Sequence, residues 1–105
     1  MKEISGTRFY RATENAELIA HNGKFRRDRE QSVYLTPSGK LYLLLETRWQ
    51  GESNKFYELE SSELEGLEQK YFTGSWNRKP KFNELLLAQI EREERADLTG
   101  SALGA

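Results

Sequence analysis

The sequence predicts an α+β domain: an antiparallel β-meander of about four to five strands followed by two C-terminal helices. Three observations lead there. Runs of β-branched and aromatic residues, each short and alternating, occupy residues 7–60 and are separated by Asn, Gly, Pro and Ser clusters. Past residue 62 the apolar residues recur at helical spacing instead. The whole chain is 105 residues, the size of one domain, so the strands and helices must share one modest core.

The elements follow in order. Residues 7–12, Thr-Arg-Phe-Tyr-Arg-Ala, are rich in β-formers and read as a strand. Residues 16–20 join the sheet only if Leu18 and Ile19 point to opposite faces; their composition also suits a helix. Asn22-Gly23 is a turn, because both residues tolerate positive φ. The segment after it carries Lys24, Arg26, Arg27 and Arg29 against Asp28 and Glu30, which suits an exposed edge or loop. Val33 and Leu35 then share one strand face, with Tyr34 on the other. Thr36-Pro37-Ser38-Gly39 is a hairpin turn, in which proline presets φ and glycine takes the left-handed position. Next, Leu41, Leu43 and Leu45 line one face while Tyr42, Leu44 and Glu46 line the other. Apolar residues on both faces mark a central strand covered on both sides. Residues 51–54 turn into a last strand over 55–60.

Ser62 with Glu65 has the spacing of a capping box, so a helix carrying Leu64, Leu67 and Tyr71 starts there. Residues 73–80 read as a loop. A second helix begins at Asn83 with Leu85, Leu86, Leu87 and Ile90 crowded into its first half. That apolar arc is wider than one sheet face requires, which points to a homodimer. The domain therefore covers residues 1–98, and the small-residue tail 99–105 is expected to fray.

Charge and composition narrow the function. Net charge is −1, yet it falls in blocks: +3 over residues 1–48, −5 over 49–69, +4 over 70–81 and −3 over 82–105. Separate acidic and basic surfaces steer charged partners. With no cysteine there is no disulfide, thiolate or Cys-zinc chemistry. The N-terminus lacks the order of a signal peptide and no apolar run spans a bilayer, so the reading is cytoplasmic, with no membrane partner. His21 is the single histidine, beside a turn, with no Asp, Ser or second His near it in sequence to orient it as a base. Carboxylates follow no ligand spacing, and no Gly-rich phosphate loop links a strand to a helix. No catalytic residue, metal site or cofactor is assigned.

Binding is the class left. Arg48-Trp49 and Trp76 with Arg78 and Lys79 each place an aromatic beside cations, the pairing enriched at protein-interface hot spots. These five are the partner-binding candidates. Lys24, Arg26, Arg27 and Arg29 are candidates for nucleic acid, which clustered cations bind by counterion release.

The segments 5–20, 33–44 and 57–69 resemble a group of small, uncharacterised bacterial proteins common on prophages and plasmids. Gly6, Tyr10, Thr13, Ala16, Glu17, Tyr34, Thr36, Gly39 and Ser62 carry the resemblance, in that order. Gly6 and Tyr10 stand one residue further apart than in the group, the tryptophan often found in its helix is missing, and residues from Tyr71 onward have no counterpart. The resemblance implies a genomic setting and a fold, with no activity attached. The expectation is a non-catalytic macromolecular interaction protein of a mobile genetic element, binding a host or phage protein complex. An inhibitor of a host defence complex, of the anti-CRISPR type, is one concrete form. The alternative is a small nucleic-acid-binding regulator using basic segments 24–29 and 78–81.

Overall fold

The computed structural model describes residues 1–22, 30–47, 53–71 and 77–104. Six strands form one sheet: β1 (Lys2–Ile4), β2 (Glu17–Asn22), β3 (Glu30–Leu35), β4 (Leu41–Glu46), β5 (Lys55–Leu59) and β6 (Asn77–Arg78). Their spatial order is β1-β5-β4-β3-β2-β6, and every pairing is antiparallel. Three helices accompany them: α1 (Gly6–Ala12), α2 (Leu64–Tyr71) and α3 (Pro80–Gly104). The α+β class and the central antiparallel meander agree with the sequence. The short outer strands β1 and β6 and the helix α1 are additional to it.

The central strand is β4, as its two-faced apolar pattern indicates. Leu41, Leu43 and Leu45 belong to the larger core, with Ile19, Val33 and Leu59 from neighbouring strands, Leu64 and Leu67 from α2, and Phe82 and Leu86 from α3. Tyr42 and Leu44 point the other way and pack with Phe9 of α1. Between β3 and β4 the turn closes as expected: Gly39 N–H donates to the Thr36 carbonyl at 2.9 Å, and Gly39 takes a φ of +88° that suits a residue without Cβ.

Residues 7–12, read from the sequence as a strand, are helical. Ser5 caps the helix by accepting a hydrogen bond from the Arg8 amide at 3.2 Å. At the other end, the Thr13 hydroxyl donates to the Phe9 carbonyl at 2.8 Å. The β propensity of Thr, Phe and Tyr yields to burial: as a helix, the segment drives Phe9 under α1 to 1% exposure. Phe9 meets Phe56, Tyr34 and Tyr42 at centroid distances of 5.0, 5.7 and 6.2 Å, and Arg8 pins α1 to β5 through Glu58 at 3.2 Å.

The start of α2 is also displaced. The capping box is made by Glu60 and Glu63, not by Ser62 and Glu65. The chain leaves β5 extended at Glu60 and enters a 3-10 turn at once (Ser61–Glu63), so Ser62 is already inside helical backbone. Segment 73–80, read as a loop, contains β6, because the outer side of β2 has backbone groups to satisfy: Ala20 pairs with Arg78 and His21 with Asn77. Helix α3 begins at Pro80, three residues before the expected start, with proline in the first turn where its missing N–H costs nothing. It continues to Gly104, through residues expected to fray. Among the described residues no helix is long and apolar enough to cross a membrane.

Candidate functional site

Arg48, Trp49, Trp76, Lys24, Arg26, Arg27 and Arg29 lie outside the described residues. Arg78 and Lys79 are described and exposed, but their backbone is part of the sheet edge. The Lys79 amide donates to the Ile19 carbonyl at 2.9 Å, and its ammonium lies 3.6 Å from Glu17. Lys81 faces Glu84 at 3.8 Å. Within the basic 78–81 segment, Lys79 and Lys81 thus each have a carboxylate as neighbour.

A different cationic surface comes from α1. A strand over 7–12 would put Thr7, Phe9 and Arg11 on one face and Arg8 and Tyr10 on the other. The helix instead turns Phe9 and Ala12 inward and leaves Thr7, Arg8, Tyr10 and Arg11 exposed. Tyr10 is 59% exposed, yet its ring is held edge-on by Phe9 at 5.3 Å and Phe56 at 5.5 Å. It is an aromatic fixed at its base and open at its face. The helix contains no acidic residue. Arg8 and Arg11 line a shallow hollow of about 510 Å³ with Ser5 and Thr7. Arg11 also borders a groove of about 370 Å³ that runs to Lys40 past Ser38 on the hairpin turn, with Glu14 on its rim. Neither Arg11 nor Lys40 has an ion-pair partner among the described residues.

His21 has partners that are distant in sequence. Its Nδ1 is 3.0 Å from Ser32 Oγ and its Nε2 is 2.9 Å from Glu30 Oε1. A Ser-His-Glu chain is the wiring of an activated nucleophile, but here the serine has no access. Ser32 is 4% exposed and sits inside β3, between His21 of β2 and Leu44 of β4. What the arrangement does is fix the imidazole. Tyr34, next along the same face, has its phenol pushed above the ordinary value by burial first and by the Glu46 carboxylate second, while a hydrogen bond with Ser32 pulls the other way. Among the described residues no three His, Asp or Glu side chains converge to hold a metal ion.

No protein-family model, curated protein or solved structure matches the chain.

The α1 surface escaped sequence reasoning because its side chains were assigned strand alternation. One signal was available: Ser5-Gly6 ahead of Phe9 and Ala12 places a capping residue before an i, i+3 apolar pair. The His21 cluster had no such signal, since Ser32 lies eleven positions away and meets it only through the β2–β3 register.

Proposed function

We propose that this chain is a non-catalytic interaction protein that binds a partner protein through the exposed side of α1. The observation that carries the reading is Tyr10, 59% exposed and braced on Phe9 and Phe56, with Arg11 following it on α1. Tyrosine and arginine dominate interface hot spots because each combines large contact area with a directed polar group. A tyrosine already held in place loses little conformational freedom on binding. Arg11, which has no ion-pair partner among the described residues, favours a partner with an acidic surface. The resemblance to prophage and plasmid proteins adds the setting: a cytoplasmic protein of a mobile element, with inhibition of a host defence complex, in the anti-CRISPR manner, as the concrete form. Trp49 and Trp76, with Arg48, Arg78 and Lys79, are the second patch proposed for the same class of partner. A homodimer is part of the proposal, favoured by Leu87, which stands 59% exposed on α3.

One observation favours the alternative of a nucleic-acid-binding regulator. Arg11 and Lys40 share a groove and could take successive phosphates, alongside Lys24, Arg26, Arg27 and Arg29.

The test is an affinity pull-down from host lysate, run with and without nuclease, using the native chain, Y10A/R11E and W49A/W76A. A specific partner retained after nuclease and lost with Y10A/R11E supports the α1 reading. Retention by Y10A/R11E with loss in W49A/W76A moves the site to the tryptophans. A partner that vanishes with nuclease replaces the protein-binding reading by the nucleic-acid one.

A further inference from the structure

On the opposite side of the sheet from α1, a cleft of about 630 Å³ opens between the end of the β3–β4 hairpin, the end of β5 and helix α3. The floor is the cross-strand pair Leu41 and Leu59. The wall is a single face of α3, because Leu85, Gln89 and Arg92 recur at i, i+4 and i+7. That face grades from apolar at the bottom to cationic at the rim. Leu85 is half-buried, Gln89 is buried and Arg92 is exposed. Lys40, also exposed, lies at the end of the hairpin, where it borders both this cleft and the groove beside α1.

The polar groups between these levels are already positioned. Ser61 Oγ donates to Gln89 Oε1 at 3.4 Å, and Gln89 Nε2 donates to Glu93 at 3.3 Å. Glu60, exposed where β5 enters the 3-10 turn, is the acid among the lining residues. Neither Arg92 nor Lys40 has an ion-pair partner among the described residues. Two unspent cations over an apolar floor call for a ligand that is itself divided: a hydrocarbon body with an anionic head.

We propose that this cleft binds a small amphipathic anion, an alkyl or aryl carboxylate or phosphate monoester. Its hydrocarbon part lies on Leu41, Leu59 and Leu85, and its head group lies between Lys40 and Arg92. The guanidinium of Arg92 offers a planar pair of donors to a carboxylate or phosphate edge. Lys40 supplies a second charge from the end of the hairpin. The cleft shares Lys40 with the groove beside α1, but it does not depend on the partner-binding reading.

Two-dimensional amide NMR of the full chain, titrated in turn with octanoate, octyl phosphate, octanol and inorganic phosphate, tests it. Octanoate or octyl phosphate should shift the amides of Leu41, Leu59, Ser61 and Gln89 saturably, and whichever binds tighter identifies the head group. Octanol and inorganic phosphate should each bind at least about tenfold more weakly, since each lacks half of the recognition. K40A/R92A, which replaces two exposed side chains, should weaken the anion by at least about tenfold while leaving the remaining amide spectrum in place. Octanol matching octanoate, inorganic phosphate matching octyl phosphate, an unaffected K40A/R92A variant, or no saturable shift at these four amides would each overturn the proposal.

Discussion

Leu43 and Leu44 are neighbours in β4 that point into different cores, and replacing each by alanine tests whether both faces of the sheet are sealed. Leu43 is 0% exposed at the centre of the larger cluster, roofed by two helices. Removing three carbons there costs their transfer free energy plus a cavity the helices cannot collapse into, about 3–5 kcal/mol. Leu44 lies beneath α1, a helix of seven residues, among the rings of Phe9, Tyr42 and Phe56. Rings beside a short helix can tilt into the space, so about 2–3 kcal/mol is expected. A domain of this size is held by roughly 5–15 kcal/mol in all, so either change removes a sizeable share. The assay is urea denaturation followed by circular dichroism, in which the midpoint falls while the slope is unchanged. Leu87→Ala, 59% exposed on α3, serves as control and should stay within about 0.5 kcal/mol in the monomer. A Leu44→Ala cost below about 1 kcal/mol, alongside a full cost for Leu43→Ala, would refute the second core and the covering role of α1.

Tyr34→Phe should remove an alkaline sensitivity. The fold raises the phenol above its ordinary 10.0, so its contribution is complete below about pH 10 and is lost as pH rises through the higher folded value. Thermal melts from about pH 8 to 11 should therefore show the native chain losing stability relative to Tyr34→Phe, and parallel curves would contradict this. Ser5→Ala removes the acceptor of the Arg8 amide and should cost about 1 kcal/mol in chemical denaturation, with Ser5→Asp recovering most of it. Gly6→Ala should destabilise as well, against the usual helix preference, because a Cβ there would lie 3.1 Å from Phe56 Cε2 and 3.2 Å from Cζ. A gain in melting temperature would mean that the Phe56 ring yields freely.

The parts of the fold that were legible in the sequence are those set by local pattern. Five alternating apolar positions from Leu41 to Leu45 can be satisfied only by a strand covered on both sides, and that is where β4 lies. Pro37 fixes its own φ and Gly39 accepts the left-handed φ the turn needs, so the hairpin was fixed without reference to anything distant. Thr7 to Ala12 was misread because its residues prefer strands only weakly, whereas the Ser5 cap and the pull of Phe9 into the ring cluster act together. The cap of α2 moved by two residues for a related reason: Glu60 and Glu63 satisfy each other's backbone as well as Ser62 and Glu65 would, and the earlier pair is reached first on leaving β5.

The His21 cluster marks a firmer limit on what alternation can reveal. Leu18 pairs with Tyr34 and His21 with Ser32, so the β2–β3 register shifts between Leu18 and Ala20. Tyr34 and Ser32 share one face of β3, and their partners are three residues apart, a spacing that regular alternation forbids. The extra residue is Ile19, which is fully buried in the larger core with Ala20 beside it. Without that bulge, the parity of Leu18 would send His21 into the leucine core between the sheet and α3, where an imidazole would find no polar partner. With it, two consecutive apolar residues enter that core, and the histidine crosses to the face that carries Ser32, Glu30 and Tyr34. One additional residue in a six-residue strand therefore decides both whether Ala20 joins Ile19 in the core and whether the chain's single histidine meets Ser32 and Glu30. Nothing in the local sequence distinguishes the two outcomes; the difference lies in the burial of Ala20 beside Ile19 in the larger core, which only the assembled sheet supplies.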